Sequence, residues 1–142
     1  MSEPQDRPAT APRIEVHFDQ SHRQHQPRDV LAVRYRIEGC DGEAVRALEH
    51  SVLWYTEGKG EEDLGVHFFQ RITDRTAMPP AVTTGAFTTP LPQSPLSYEG
   101  FIVKVRWCVR VRIFFASGRD FVSEHVFALG RIPPARNPTT EN

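Results

Sequence analysis

A sequence of 142 residues with 39% apolar residues, 25% charged residues and a formal net charge of −1 has room for one domain and hardly for two. No run approaches the roughly 18 apolar residues of a membrane span, and the opening MSEPQDRPATAP has no hydrophobic signal core, so a cytoplasmic protein is expected. The near-zero charge argues against nucleic acid as a partner, because such binders are usually strongly basic.

Pro4, Pro8 and Pro12 punctuate the first dozen residues, and Pro133, Pro134 and Pro138 the last ten. Neither end has an apolar face, so residues 1–12 and 133–142 are expected as disordered tails around a domain spanning 13–132. Inside it the dominant period is two, the mark of half-buried strands. Ile14, Val16 and Phe18 alternate with Glu15 and His17. Leu31, Val33, Tyr35 and Ile37 alternate with Ala32, Arg34 and Arg36. No window of ten or more residues carries a 3.6-residue apolar stripe, and the best helical candidate, Gly42 to His50, has good helix formers but only one or two turns. Ala47 to Thr56 is rich in β-branched and aromatic residues. Val66 to Ile72 follows a Gly-rich acidic turn, and Gly85 to Thr89 is stopped by Pro90 and Pro92.

The longest run is Phe101 to Phe115, in which every odd position is apolar and the even positions include Lys104, Arg106, Arg110 and Arg112. The turn Ser117-Gly118-Arg119-Asp120 leads into Phe121 to Leu129, its expected hairpin partner. About seven strands with turn signals every 8 to 15 residues define an all-β fold, a single β-sandwich with immunoglobulin-like layering.

The segment Phe87-Thr88-Thr89-Pro90-Leu91-Pro92, then Ser94-Pro95-Leu96-Ser97-Tyr98-Glu99-Gly100, then Arg106-Trp107-Cys108-Val109-Arg110-Val111 resembles the arrestin-like fold family of arrestin, Vps26 and Spo0M type. There a strand ends in F-x-x-P-L-P, a P-x-S-[FY]-x-G turn follows, and a strand with V-R-V alternation comes next. The resemblance covers Val52 to Leu129 well and the first fifty residues only by strand count. It implies a single arrestin-like sandwich, of bacterial origin, working as a non-catalytic adaptor. Phe18 is followed by Asp19-Gln20-Ser21 rather than by paired lysines, so phosphate sensing does not carry over. Physically, Pro90 and Pro92 cannot donate to a ladder and end a strand, while Gly100 is expected at positive φ, turning the chain into the other sheet.

Lys104, Arg106, Arg110 and Arg112 share one strand face, and Arg34 and Arg36 show the same phase on an earlier strand. Together they are the candidate partner-binding residues, suited to an acidic protein segment. The same stripe suits, alternatively, a peripheral anion or phospholipid headgroup. The plainer account is a solvated face neutralised by cross-strand acids such as Glu124. Between Glu38 and Asp63 stand eight acids against Arg46 and Lys59, so acidic loop against basic strand also makes a homo-oligomer a candidate.

The six histidines lack any zinc spacing, although His17, His67 or His125 would serve a metal reading. No nucleophile motif occurs, and Cys40 and Cys108 are expected as reduced thiols, with the arginines around Cys108 a route to a reactive one. No cofactor, metal or catalytic residue is expected. Tyr55, Phe69 and Phe114 fall off phase and mark an apolar patch or imperfect core packing.

Overall fold

Two stacks of alternating side chains meet in this chain, and the register between strands decides which residues meet. The computed structural model describes residues 12–20, 23–40, 44–60, 62–73 and 82–130. Both expected tails lie outside these residues except for Pro12, which is buried. The elements are β1 (Arg13–Phe18), β2 (Gln24–His25), β3 (Val30–Glu38), β4 (Val45–Gly58), β5 (Leu64–Ile72), β6 (Val82–Pro90), β7 (Tyr98–Glu99), β8 (Val103–Phe115) and β9 (Asp120–Leu129). Seven of these nine strands are long, and each expected strand falls on one of the seven.

One sheet has the order β1-β3-β6, and the other β2-β9-β8-β4-β5, with β7 also paired to β8. The faces that meet carry the apolar phase of each strand. Leu31, Val33, Tyr35 and Ile37 of β3 and Phe87 of β6 oppose Leu48 and Val52 of β4 and Trp107, Val109, Val111, Ile113 and Phe115 of β8. Burying a side chain of this size is worth roughly 1.5–3 kcal/mol, so this dry interior dominates stability. β4 and β8 run antiparallel from Val45↔Phe115 to Gly58↔Val103, forming the centre of the larger sheet.

The chain crosses from the small sheet to the large one through residues 91–97. Pro90 closes β6, the Ser94–Pro95 peptide is cis, and Trp107 Nε1–H donates to the Pro95 carbonyl at 2.7 Å. Gly100 does not adopt positive φ, contrary to expectation. Its role is space, since a Cβ there would run into the Tyr98 ring and the Val103 carbonyl.

Two boundaries differ from the sequence reading. Val45 to His50 is the first half of β4 rather than part of a helix, because it pairs with Phe115 to Val111 on one side and, from Leu48 on, with Ile72 to Gln70 on the other. This long-range pairing overrides the helix propensity of Ala47, Leu48 and Glu49. Phe101 and Ile102 lie outside β8 and are 71% and 67% exposed. Gly100 N–H bonds the Val103 carbonyl and Lys59 N–H the Ile102 carbonyl, a turn that takes both side chains out of the pleat.

One polar chain spans the interior. The Tyr35 hydroxyl lies 2.8 Å from His50 Nδ1, and His50 Nε2 lies 2.7 Å from Gln70 Oε1. The amide oxygen can only accept, so Nε2 carries the proton and Nδ1 accepts from the tyrosine. The imidazole stacks on Phe87 at 4.4 Å between centroids.

Candidate functional site

The even positions of β8 all project from the outer face of the six-stranded sheet. Each cation of the stripe meets an acid held on a neighbouring strand. Arg110 contacts Glu124 of β9 at 2.7 Å, and Arg112 contacts Asp120 at 2.7 Å. Arg106 reaches Glu57 of β4 at 2.7 Å and Glu99 of β7 at 3.3 Å, while Lys104 lies 3.7 Å from Glu99. The Glu57 hydrogen bond holds the Arg106 guanidinium above its ordinary range, though burial opposes it. At the far side of the face Arg71 of β5 pairs with Glu49 of β4. Five cations (Arg71, Lys104, Arg106, Arg110, Arg112) therefore stand among five acids (Glu49, Glu57, Glu99, Asp120, Glu124), and the face carries no excess of either sign. Exposed pairs of this kind contribute roughly 0–1 kcal/mol each, so they orient side chains more than they stabilise the fold.

Arg34 and Arg36 are not part of this face. They project from β3 on the outside of the other sheet, and Arg36 bonds Glu38 at 2.7 Å. Period two separates inside from outside but does not say on which sheet a strand lies. The acidic stretch is likewise dispersed: Glu38 serves Arg13 and Arg36, Glu49 serves Arg71 and Glu57 serves Arg106. Asp41, Glu43 and Glu61 lie outside the described residues, as does His22.

The histidines go to separate places. His17 is exposed on β1, His67 bonds the Pro90 carbonyl at 2.7 Å, and His125 bonds Ser123 Oγ at 2.6 Å. Burial pushes His50 and His125 below the ordinary imidazole range, with the Gln70 hydrogen bond opposing at His50 and Arg23 adding at His125. Among the described residues no three His, Cys, Asp or Glu side chains are grouped to hold a metal ion.

The arginines around Cys108 do not make it a reactive thiol. Its side chain has the outward phase, yet it is 0% exposed, and burial pushes the thiol up to about 12, with Glu124 adding and Arg110 only partly opposing. Desolvation of a thiolate here outweighs one neighbouring charge.

The off-phase aromatics share the outer face with the stripe. Phe114 lies under the Arg71 and Arg112 guanidiniums, at 4.9 and 4.8 Å from the ring centre, while Phe69 is 52% exposed. Leu64 and Val66 continue Phe69 along β5, and Val122 and Val126 stand on β9. Among the described residues, five of the eight exposed large apolar side chains thus fall on this one face, bordering the charged ladder, with a shallow groove over Ser51 and Leu53 between them. The sequence reading passed over Leu64, Val122 and Val126. The signal was Val122, Glu124 and Val126 on the phase opposite to the inward-facing Phe121 and Phe127, a solvent face two-thirds apolar.

Strand order, crossover and twin-sheet core define an all-β, arrestin-like sandwich whose distinctive surface is the outer face of its larger sheet. No known family model and no curated protein matches the sequence. Among solved structures the fold is similar to Spo0M, a sporulation control protein from Bacillus subtilis, with a TM-score of 0.58 and 12% identity over 87% of this chain and 51% of that one. The chain thus spans about half the length of that structure, and the likeness is one of fold. Among the described residues no helix is long and apolar enough to cross a membrane.

Proposed function

We propose that this chain is a non-catalytic protein-interaction module of adaptor type, working in the cytoplasm and docking an acidic segment of another protein or a copy of itself on the outer face of the six-stranded sheet. The observation that carries this reading is the concentration there of exposed apolar side chains around an arginine ladder. A protein partner covers the apolar residues and exchanges carboxylates with Arg110 and Arg112, whereas an anionic membrane meets as many acids as cations. That balance favours protein over phospholipid headgroups.

The test is fluorescence anisotropy of a labelled peptide of alternating Glu and Leu, titrated with the full chain at low and at high salt. Saturable binding that salt weakens, and that the double substitution Arg110→Glu and Arg112→Glu weakens by about tenfold, supports the reading. No saturation by a chain that is also monomeric, or binding indifferent to both, overturns it. Sedimentation with phosphatidylserine vesicles without peptide binding would replace it with the headgroup alternative.

A further inference from the structure

Two routes are open to a partner at this sheet, its edge and its face. The edge at β5 is nine residues long and has no proline or lysine. Its ladder is nevertheless interrupted: Val52 pairs with Phe68 and Leu53 with Val66, leaving His67 as an extra residue. A bulge in an edge strand bends and twists it away from an incoming strand. The face is the better route.

Register fixes rows across that face. From β9 to β5, one row reads Val126, Cys108, Leu53, Val66, and the next Glu124, Arg110, Ser51, Phe69. The third reads Val122, Arg112, Glu49, Arg71. We propose that the face binds a second copy of this chain, packed sheet on sheet about a two-fold axis parallel to the strands and midway between β8 and β4. This rests on the reading of the face as an interaction surface and names its partner.

Such an axis turns the face over without shifting any row. β8 of one copy then lies over β4 of the other, and β9 over β5. The apolar row meets itself, Val126 above Val66 and Cys108 above Leu53. Arg112 comes to Glu49 of the other copy and Lys104 to Glu57, because β8 is the basic column and β4 an acidic one. A neutral face with alternating charged columns is complementary to itself, and neither a strongly acidic nor a strongly basic partner matches it as well. Four strands about 4.8 Å apart lie abreast over seven residues rising about 3.3 Å each, and β4 and β8 continue alone through six more pairs, which together give a footprint of about 600 Å². Specific interfaces bury roughly 600–1,000 Å² per partner, so the face is large enough.

Sedimentation equilibrium of the full chain over a concentration series tests this. The expected mass at high concentration is twice that of the 16.2 kDa chain. Val66→Arg, at a position 56% exposed, is expected to abolish the dimer and to match the parent's melting temperature at concentrations too low for dimerisation. Phe101→Asp, outside the face, is expected to leave the dimer intact. The double substitution Val66→Cys and Val126→Cys should give a covalent dimer on oxidation, and neither single substitution should. A monomer at every concentration, a dimer that Val66→Arg leaves intact, or cross-linking by the single cysteines as fast as by the pair overturns the proposal. A monomer that still binds the acidic peptide overturns the self-partner alone, and a monomer that binds no peptide overturns the interaction reading as well.

Discussion

Replacing Tyr35 by Phe removes one oxygen from the middle of the sandwich and leaves its acceptor behind. Tyr35 is 2% exposed, and its hydroxyl donates to His50 Nδ1 at 2.8 Å. With Nε2–H committed to Gln70, the imidazole cannot change tautomer without losing that second bond. A buried acceptor stripped of its donor costs about 1–3 kcal/mol. At about 4 °C per kcal/mol for a domain of this size, the melting temperature should fall by about 4–12 °C. Thermal unfolding followed by near-ultraviolet circular dichroism at neutral pH measures it. A second arm uses alkali: burial pushes the Tyr35 phenol up to about 12 from an ordinary value of 10.0. The unfolded chain therefore ionises this phenol first. Its contribution is intact below pH 10 and is lost as pH rises towards 12, so the parent should lose stability in that window more steeply than Tyr35→Phe. A variant within about 0.5 kcal/mol of the parent at neutral pH, or one with the same alkaline slope, would refute the account of this polar chain.

Gly85→Ala should destabilise the fold by about 1–3 kcal/mol, since a Cβ at Gly85 would sit inside the Tyr35 ring and force it from His50. Chemical denaturation measures this, and combining it with Tyr35→Phe should give less than the sum of the two losses. For the thiols, a disulfide reagent should label neither Cys40 nor Cys108 in the native protein and both in denaturant, because they are 2% and 0% exposed and burial holds Cys108 protonated. Rapid native labelling of Cys108 would contradict that.

Alternation made most of the fold legible. The strict phase of Phe101 to Phe115 already contained β8, and Ser117 to Asp120 its hairpin turn to β9, because both are local signals. The start of β4 was less legible: Ala47 to His50 fell in both the strand run and the helical candidate, and partners twenty or more and more than sixty residues away decide for the strand. The same limit governs the site. Glu124 was foreseen as a cross-strand partner through the β8–β9 hairpin, while Glu57 and Glu49 meet the face's arginines through pairings that no local pattern contains. Arg34 and Arg36 share the phase of the stripe but lie on the other sheet, a distinction that depends on topology alone.

The central pairing of β4 with β8 has a temporal side. On the ribosome β4 emerges with β5, but its longer neighbour begins only at Val103, after some 45 further residues. Until then Leu48, Val52 and Leu53, all buried in the finished protein, belong to a hairpin with one side open. Closing so long a loop before the central ladder forms slows folding and prolongs exposure of sticky strand edges. Truncation before β8, or stalled translation there, should yield an aggregating nascent chain that requires a chaperone, whereas release after β9 should not.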